Sequence, residues 1–63
     1  MKEIFLQILE SGQQAICRMK QNNGQWSKQI ALKNSCIDEF INNENLDRCE
    51  VKLDNGFNII ISK

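Results

Sequence analysis

Apolar residues recur along the first ten positions at a spacing that predicts a short amphipathic helix over residues 2–10. The residues that share this face are Ile4, Phe5, Ile8 and Leu9. Ser11-Gly12 follows, and a glycine at this point favours the left-handed conformation that ends many helices. Ile4, Leu6 and Ile8 also lie at every second position, so a strand is the alternative interpretation of the same segment.

Residues 15–32 show the alternation of a β-hairpin around Asn23-Gly24, a dipeptide typical of two-residue type I′ turns. A turn of that length pairs Gln21 with Trp26 and Cys17 with Ile30. The apolar face then contains Ala15, Cys17, Met19, Trp26, Ile30 and Leu32, with Lys28 among them. The opposite face contains Ile16, Arg18, Lys20, Ser27, Gln29 and Ala31.

A second helix is predicted from Ser35, whose spacing to Asp38 partly matches a capping box. Asp38 and Glu39 would then lie in the first turn, where the helix dipole favours negative charge. The apolar residues at helical spacing are Cys36, Ile37, Phe40 and Ile41, and the asparagine-rich segment 42–45 ends the pattern. A helix that starts at Ser27 is a rival interpretation, but it would remove the second strand of the first hairpin.

The last segment predicts a second hairpin with a three-residue loop, Asp54-Asn55-Gly56. This loop, with Gly56 in the left-handed bulge position, gathers the large apolar side chains on one face. The resulting pairs are Leu53 with Phe57, Val51 with Ile59 and Cys49 with Ile61. The opposite face contains Glu50, Lys52, Asn58, Ile60 and Ser62.

Together these elements predict one α+β domain over residues 1–63, in the order helix, hairpin, helix, hairpin. The chain has 63 residues, of which 41% are hydrophobic, enough for one small core. The simplest architecture is a four-stranded, mainly antiparallel sheet with both helices on its apolar face. The pattern does not determine the strand order between the two hairpins.

The residue types limit the chemistry, because the chain has no histidine and no tyrosine. It also lacks a glycine-rich phosphate loop, and Asp38-Glu39 are too close in sequence to face each other across a cleft. Cys17, Cys36 and Cys49 are odd in number and widely spaced, which is typical of buried, reduced thiols rather than disulfides or metal ligands. We therefore expect no enzymatic activity, no metal and no cofactor.

The apolar runs are too short for a membrane segment or a signal peptide, so we expect no membrane contact and a cytoplasmic location. No unbroken apolar run exceeds three residues, and Ile59-Ile60-Ile61 is one of that length. Frequent isoleucine, asparagine and lysine are typical of an A/T-rich genome, which favours a phage or mobile-element origin.

Charge is unevenly distributed along the chain even though the formal net charge is zero. Residues 11–33 contain four cations and no acid, whereas residues 34–56 contain six acids and two cations. We expect these segments to form separate basic and acidic surface regions. An outer sheet face with Ile16, Ile60 and Ala31 would add an apolar patch.

This layout predicts a small protein-binding module that acts as a regulator or inhibitor of a partner protein. Association of the chain with copies of itself, as a homo-oligomer, is a further option. The candidate partner-binding residues are Arg18, Lys20, Trp26, Lys28, Lys33, Ile16 and Ile60. The alternative is single-stranded nucleic-acid binding through the basic first hairpin, with Trp26 stacking on a base. A sequence pI of about 6.1 favours the protein partner, because nucleic-acid-binding domains are usually basic.

Overall fold

A computed structural model describes residues 2–63 and confirms the predicted α+β class. Two helices and four strands follow one another in the predicted order. They are α1 (Lys2–Glu10), β1 (Ala15–Gln21), β2 (Ile30–Ala31), α2 (Asn34–Asn42), β3 (Leu46–Leu53) and β4 (Asn58–Ser62). The bounds of α1 match the predicted helix, so the alternative strand over this segment is wrong. The rival helix from Ser27 is also wrong, because β2 occupies part of that segment.

The four strands form one antiparallel sheet in the order β2-β1-β3-β4. The two long strands lie at the centre, and β1 pairs with β3 from Ala15 opposite Leu53 to Gln21 opposite Leu46. The chain passes from β2 through α2 to β3, so β1 lies between the two strands that this helix connects. The short β2 and the five-residue β4 are therefore the two edges.

Both helices pack on one side of the sheet, which we call the inner face. Alternate residues of β1, β3 and β4 meet the apolar sides of α1 and α2 there. The buried core consists of Phe5, Ile8, Cys17, Met19, Leu32, Cys36, Ile37, Phe40, Leu46, Cys49, Val51 and Ile61. The predicted burial of all three cysteines is confirmed, and none of them forms a disulfide.

Both hairpins have the same three-residue loop, whose third residue is glycine. Leu53 N–H donates to the Phe57 carbonyl in the second hairpin, and Gln21 N–H donates to the Gln25 carbonyl in the first, each at 2.8 Å. The second loop confirms the prediction, whereas the two-residue turn predicted at Asn23-Gly24 is wrong. A type I′ turn needs a positive φ at both central residues. In residues 2–63 only glycines have a positive φ.

The longer first loop moves Trp26 to the other face of the sheet. Trp26 forms a bridge with Lys20 instead of pairing with Gln21, so its predicted place on the apolar face is wrong. Cys17 still pairs with Ile30, as predicted, and the one-residue difference is absorbed in the irregular segment 27–29. Ser27 stabilises this break: its N–H donates to the Met19 carbonyl, and its hydroxyl oxygen accepts from Met19 N–H at 2.9 Å.

Helix α2 starts earlier than predicted. Its N-cap residue is Lys33, which makes no side-chain capping hydrogen bond, so the capping box at Ser35 is wrong. Asp38 and Glu39 consequently lie beyond the first turn. The cause is tertiary, because the buried Leu32 is still attached to β1 through its N–H, 3.0 Å from the Ala15 carbonyl oxygen. The helix therefore begins directly after Leu32, and this places Cys36 in the core.

Three apolar residues of the predicted apolar faces are exposed, and one of them is Ile4 of α1, which is 43% exposed. Ile30 lies in the edge strand β2 and is 41% exposed, and Phe57 lies just beyond the second loop and is 68% exposed. Both side chains are near the periphery of the sheet, where the helices do not cover the inner face. Correct register therefore did not ensure burial.

We expect Gly56→Ala to lower the free energy of unfolding by about 1–2 kcal/mol, because an L-residue is strained at the φ of this position. Gly56 has φ 94°, and a Cβ placed there meets no heavy atom within 4 Å, so the loss is conformational rather than steric. Urea denaturation of Gly56→Ala and Gly56→Asn measures it, since asparagine tolerates this region better. Equal stability of the wild type and Gly56→Ala would contradict the loop conformation.

Candidate binding face

The side of the sheet opposite the helices is left uncovered, and we call it the outer face. Pairing register brings residues of all four strands, together with Trp26 of the first hairpin, onto this face. They are Ile16, Arg18, Lys20, Trp26, Ala31, Arg48, Glu50, Lys52, Asn58, Ile60 and Ser62. None of these residues is buried, so the whole face is accessible to a partner.

The outer face is basic, with four cations and a single carboxylate. Arg18 and Lys20 come from β1, and Arg48 and Lys52 come from β3. Lys20 is directly opposite Arg48 in the register. Like charges directly opposite each other are destabilising in a sheet. Within residues 2–63, neither of these two cations forms a salt bridge.

Trp26 is held against the face by the two cations of β1. The Arg18 guanidinium carbon lies 4.2 Å from the Trp26 ring centroid, and Lys20 Nζ lies 5.7 Å from it. Both distances fall within the range of cation–π attraction. Trp26 is half-buried, so its ring is anchored while part of it stays accessible to a ligand.

Arg18 also links the two central strands. Its Nε lies 3.0 Å from Glu50 Oε1, and its Nη2 lies 3.5 Å from Glu50 Oε2, directly across the β1–β3 pair. The carboxylate thereby orients the guanidinium that contacts Trp26. Glu50, Arg18 and Trp26 form a continuous row of contacts over the middle of the face.

The Arg18–Glu50 pair corrects the prediction of separate basic and acidic regions from separate chain segments. Glu50, Arg48 and Lys52 all belong to the segment predicted to be acidic, yet they lie on the basic face beside β1. Charge is instead separated by layer. Helices α1 and α2 contain four acids against the single cation Lys2, which lies 3.9 Å from Asp38.

The predicted site residues divide into two groups. Five lie on the outer face: Ile16, Arg18, Lys20, Trp26 and Ile60. The other two do not join them, because Lys28 lies in the irregular segment 27–29 and Lys33 caps α2.

The expected apolar patch is interrupted. Ile16 lies beside Ala31, but β3 separates both from Ile60, with Glu50 and Lys52 in between. Sequence reasoning placed Glu50 and Lys52 on the correct face of their hairpin. It missed their role, and that of Arg48, because only the strand order brings β3 against β1.

A cleft of about 580 Å³ opens at one end of the sheet, beside the outer face. Its lining includes Ile16, Ala31, Lys52, Gln13, Gln14 and Asp54. Its lining contains no cysteine or serine, so the cleft has no thiol or hydroxyl nucleophile next to its one carboxylate. Among residues 2–63, no three cysteine or acidic side chains converge in a way that could hold a metal ion.

The three thiols lie under the inner face and are not available for surface chemistry. A hydrogen bond between the Cys17 and Cys49 thiols, together with burial, raises the pKa of Cys17 well above its ordinary value. Cys36 Sγ lies 3.4 Å from the Ala31 carbonyl oxygen, which accepts its hydrogen bond. The hydrogen bond with Cys17 lowers the pKa of Cys49, but this thiol is fully buried and has no access to a ligand at the surface.

We expect Arg18 and Glu50 to be energetically coupled by about 0.5–1 kcal/mol, as is usual for a partly exposed cross-strand ion pair. A double-mutant cycle of Arg18→Met, Glu50→Gln and the double variant measures this coupling in urea denaturation. The contact of Arg18 with Trp26 favours the upper end of the range, because the guanidinium is held on two sides. Additive effects of the two substitutions would contradict the ion pair.

Within residues 2–63, neither helix has both the length and the apolarity needed to cross a lipid bilayer. The two helices supply five of the twelve buried core residues, namely Phe5, Ile8, Cys36, Ile37 and Phe40. Comparison with protein-family models, with curated proteins and with solved structures finds no match to this chain.

Proposed function

We propose that the protein is a non-enzymatic binding module that docks through its outer face onto an acidic surface of a partner protein. The observation that carries this proposal is the uncovered sheet face on which Lys20 and Arg48 lie opposite each other, with Lys52 nearby. None of these three cations forms a salt bridge with another residue of the described part of the chain. Carboxylates of a partner would supply the missing counterions and steer the encounter.

Trp26 and Arg18 are the proposed anchors of the interface. Tryptophan and arginine are the residue types that most often dominate binding energy at protein interfaces. Both are already oriented here by the row of contacts from Glu50, so little side-chain entropy remains to be lost on binding. Ile60, 58% exposed on the neighbouring strand, adds apolar area beside this row.

Two features of the face support a protein partner over a nucleic acid. Glu50 neutralises Arg18, so only three cations of the face remain for a phosphate backbone to contact. The Arg18 guanidinium also lies over the Trp26 ring and competes with a base for stacking. A zero formal net charge weakens the general attraction to phosphate as well.

The proposed role is that of a regulator or inhibitor, which acts by covering the acidic surface that it binds. We place the protein in the cytoplasm, because three free thiols are typical of a reducing compartment. A phage or mobile-element origin stays a prediction from amino-acid usage.

The test is affinity capture from a nuclease-treated cytoplasmic lysate with matched charge variants. Arg48→Glu/Lys52→Glu reverses two charges on the outer face, and Lys28→Glu/Lys33→Glu makes the same change in charge away from it. We expect the wild type and the second variant to retain one stoichiometric protein, and the first variant to lose it at least about tenfold. Equal capture by both variants, or no stoichiometric protein at all, would contradict the proposal.

The lone tryptophan gives a second readout of the same interface. Adding the captured partner to the purified protein should change the Trp26 emission, and added salt should reverse the change. A larger response to a single-stranded oligonucleotide than to the captured protein would overturn the proposal in favour of nucleic-acid binding.

A further inference from the structure

Strand β4 is a free sheet edge without the features that usually protect one. Its five residues, Asn58–Ser62, contain no charge and no proline, and its register with β3 is free of bulges. Natural proteins usually block such edges with lysine, proline, bulges or very short strands. An unprotected edge of this kind is a template for another strand.

The other edge of the sheet has that protection. Strand β2 is only two residues long, and the irregular segment 27–29 precedes it. Of the two edge strands, only β4 therefore lacks protection.

The hydrogen bonds at the ends of β4 show which backbone groups are free. Phe57 accepts a hydrogen bond from Leu53 N–H at 2.8 Å, and Lys63 N–H donates to the Asp47 carbonyl at 3.2 Å. In an antiparallel pair, alternate residues direct both backbone groups toward the neighbouring strand. Asn58, Ile60 and Ser62 therefore direct their N–H and C=O groups away from β3, toward the open edge.

We propose that β4 pairs antiparallel with β4 of a second copy of this chain, about a two-fold axis at Ile60. This register places Ile60 opposite its own equivalent and Asn58 opposite the equivalent of Ser62. Isoleucine meets isoleucine, a short polar side chain meets another, and no charge of β4 faces a like charge. The strand is thus complementary to itself along its whole length.

The second copy is favoured over an unrelated extended peptide by this self-complementarity. The exposed Ile60 side chains would cover each other in the dimer, since they are directly opposite on the outer face. One pair of five-residue strands buries less than the roughly 1,200 Å² of a standard stable interface. The dimer is therefore weak and depends on protein concentration.

The pairing of two β4 strands does not rest on the proposed function, but it would enlarge the outer face that the proposed function uses. Two copies joined at β4 form one eight-stranded sheet, with the two outer faces side by side. A partner with an extended acidic surface would then meet two sets of cations at once, which raises avidity.

Sedimentation equilibrium from micromolar to millimolar protein tests the pairing. We expect the apparent mass of the wild type to rise from 7.3 kDa toward twice that value. Ile60→Lys should stay at the monomer mass, because it places like charges opposite each other at the two-fold axis. The matched control is Ile16→Lys, an exposed isoleucine on the same face but in the central strand β1, which should behave like the wild type.

Amide hydrogen exchange gives a readout that does not depend on a variant. At high concentration the N–H groups of Asn58, Ile60 and Ser62 should become protected, while those of β2 stay unchanged. A constant monomer mass would overturn the proposal, as would equal loss of association in Ile60→Lys and Ile16→Lys. Arg48→Glu/Lys52→Glu should still self-associate, so failure of partner capture and failure of β4 pairing are distinguishable.

Discussion

Phe40→Ala is expected to leave the protein largely unfolded at 25 °C. Phe40 is fully buried between α2 and the sheet, and its ring meets the edge of Phe5 at a centroid distance of 5.9 Å. Removing a buried phenylalanine side chain costs about 3–5 kcal/mol. A core of this size supplies a net stability of only about 3–5 kcal/mol, so the loss is as large as the total free energy of unfolding.

Far-UV circular dichroism and urea denaturation measure this effect, and the chain offers a matched control. Phe57→Ala removes the same side chain from an exposed position and should change the free energy of unfolding by less than about 0.5 kcal/mol. Phe5→Ala should resemble Phe40→Ala, because both rings belong to one contact. A Phe40→Ala protein that stays folded with near wild-type stability would contradict the packing of the two helices on the inner face.

Stability is expected to fall as the pH rises above about 8.5, the ordinary pKa of a cysteine thiol in an unfolded chain. The pKa of Cys17 is raised in the folded protein by its hydrogen bond to Cys49 and by burial. The folded state therefore keeps a proton that the unfolded state releases. Its contribution is fully present below pH 8.5 and is lost above it at up to about 1.4 kcal/mol per pH unit.

Urea denaturation in steps between pH 7 and 10, with a reductant present, measures this slope. The control is Cys17→Ala, whose absolute stability will differ but whose loss between about pH 8.5 and 10 should be clearly smaller. A stability that does not change over this interval, or identical slopes in the two proteins, would show that the Cys17 thiol does not titrate as its burial requires.

The elements with strong local patterns could be predicted from the sequence. The apolar spacing from Ile4 to Leu9 determined α1, and the choice of a three-residue loop before Phe57 determined the register of the second hairpin. In the second hairpin a wrong loop would have exposed several large side chains, so one solution was clearly better, whereas the α1 segment kept a strand as an open alternative. The pairing of Cys17 with Ile30 in the first hairpin was also correct, although it had been deduced from a turn that the structure does not contain.

The position of Trp26 could not be predicted in this way. The dipeptide Asn-Gly occurs in both hairpins. A two-residue turn at Asn23-Gly24 gives an acceptable apolar face, because it places Trp26 on the same side as the core residues. The irregular segment 27–29 then absorbed the one-residue difference, so Ile30 kept its predicted partner. Local alternation does not reveal such a compensation, because it depends on the two hydrogen bonds between Ser27 and Met19.

The composition of the basic face depended on strand order, which is a tertiary property. The charge balance along the chain assigns Arg48 and Lys52 to an acidic segment. The sheet places β3 beside β1, so residues about thirty positions apart in sequence became neighbours on one face. The face and its central ion pair, Arg18–Glu50, follow from that adjacency.

The most direct test of the outer face as the binding surface is an NMR titration of the ¹⁵N-labelled protein with poly-L-glutamate at low salt. We predict shifts of the Trp26 indole N–H and of backbone amides at Arg18, Lys20, Arg48 and Lys52, reversed by added salt, with α1 and α2 unaffected. Shifts confined to the helices, or no shifts at saturating polyanion, would contradict a binding role for this face.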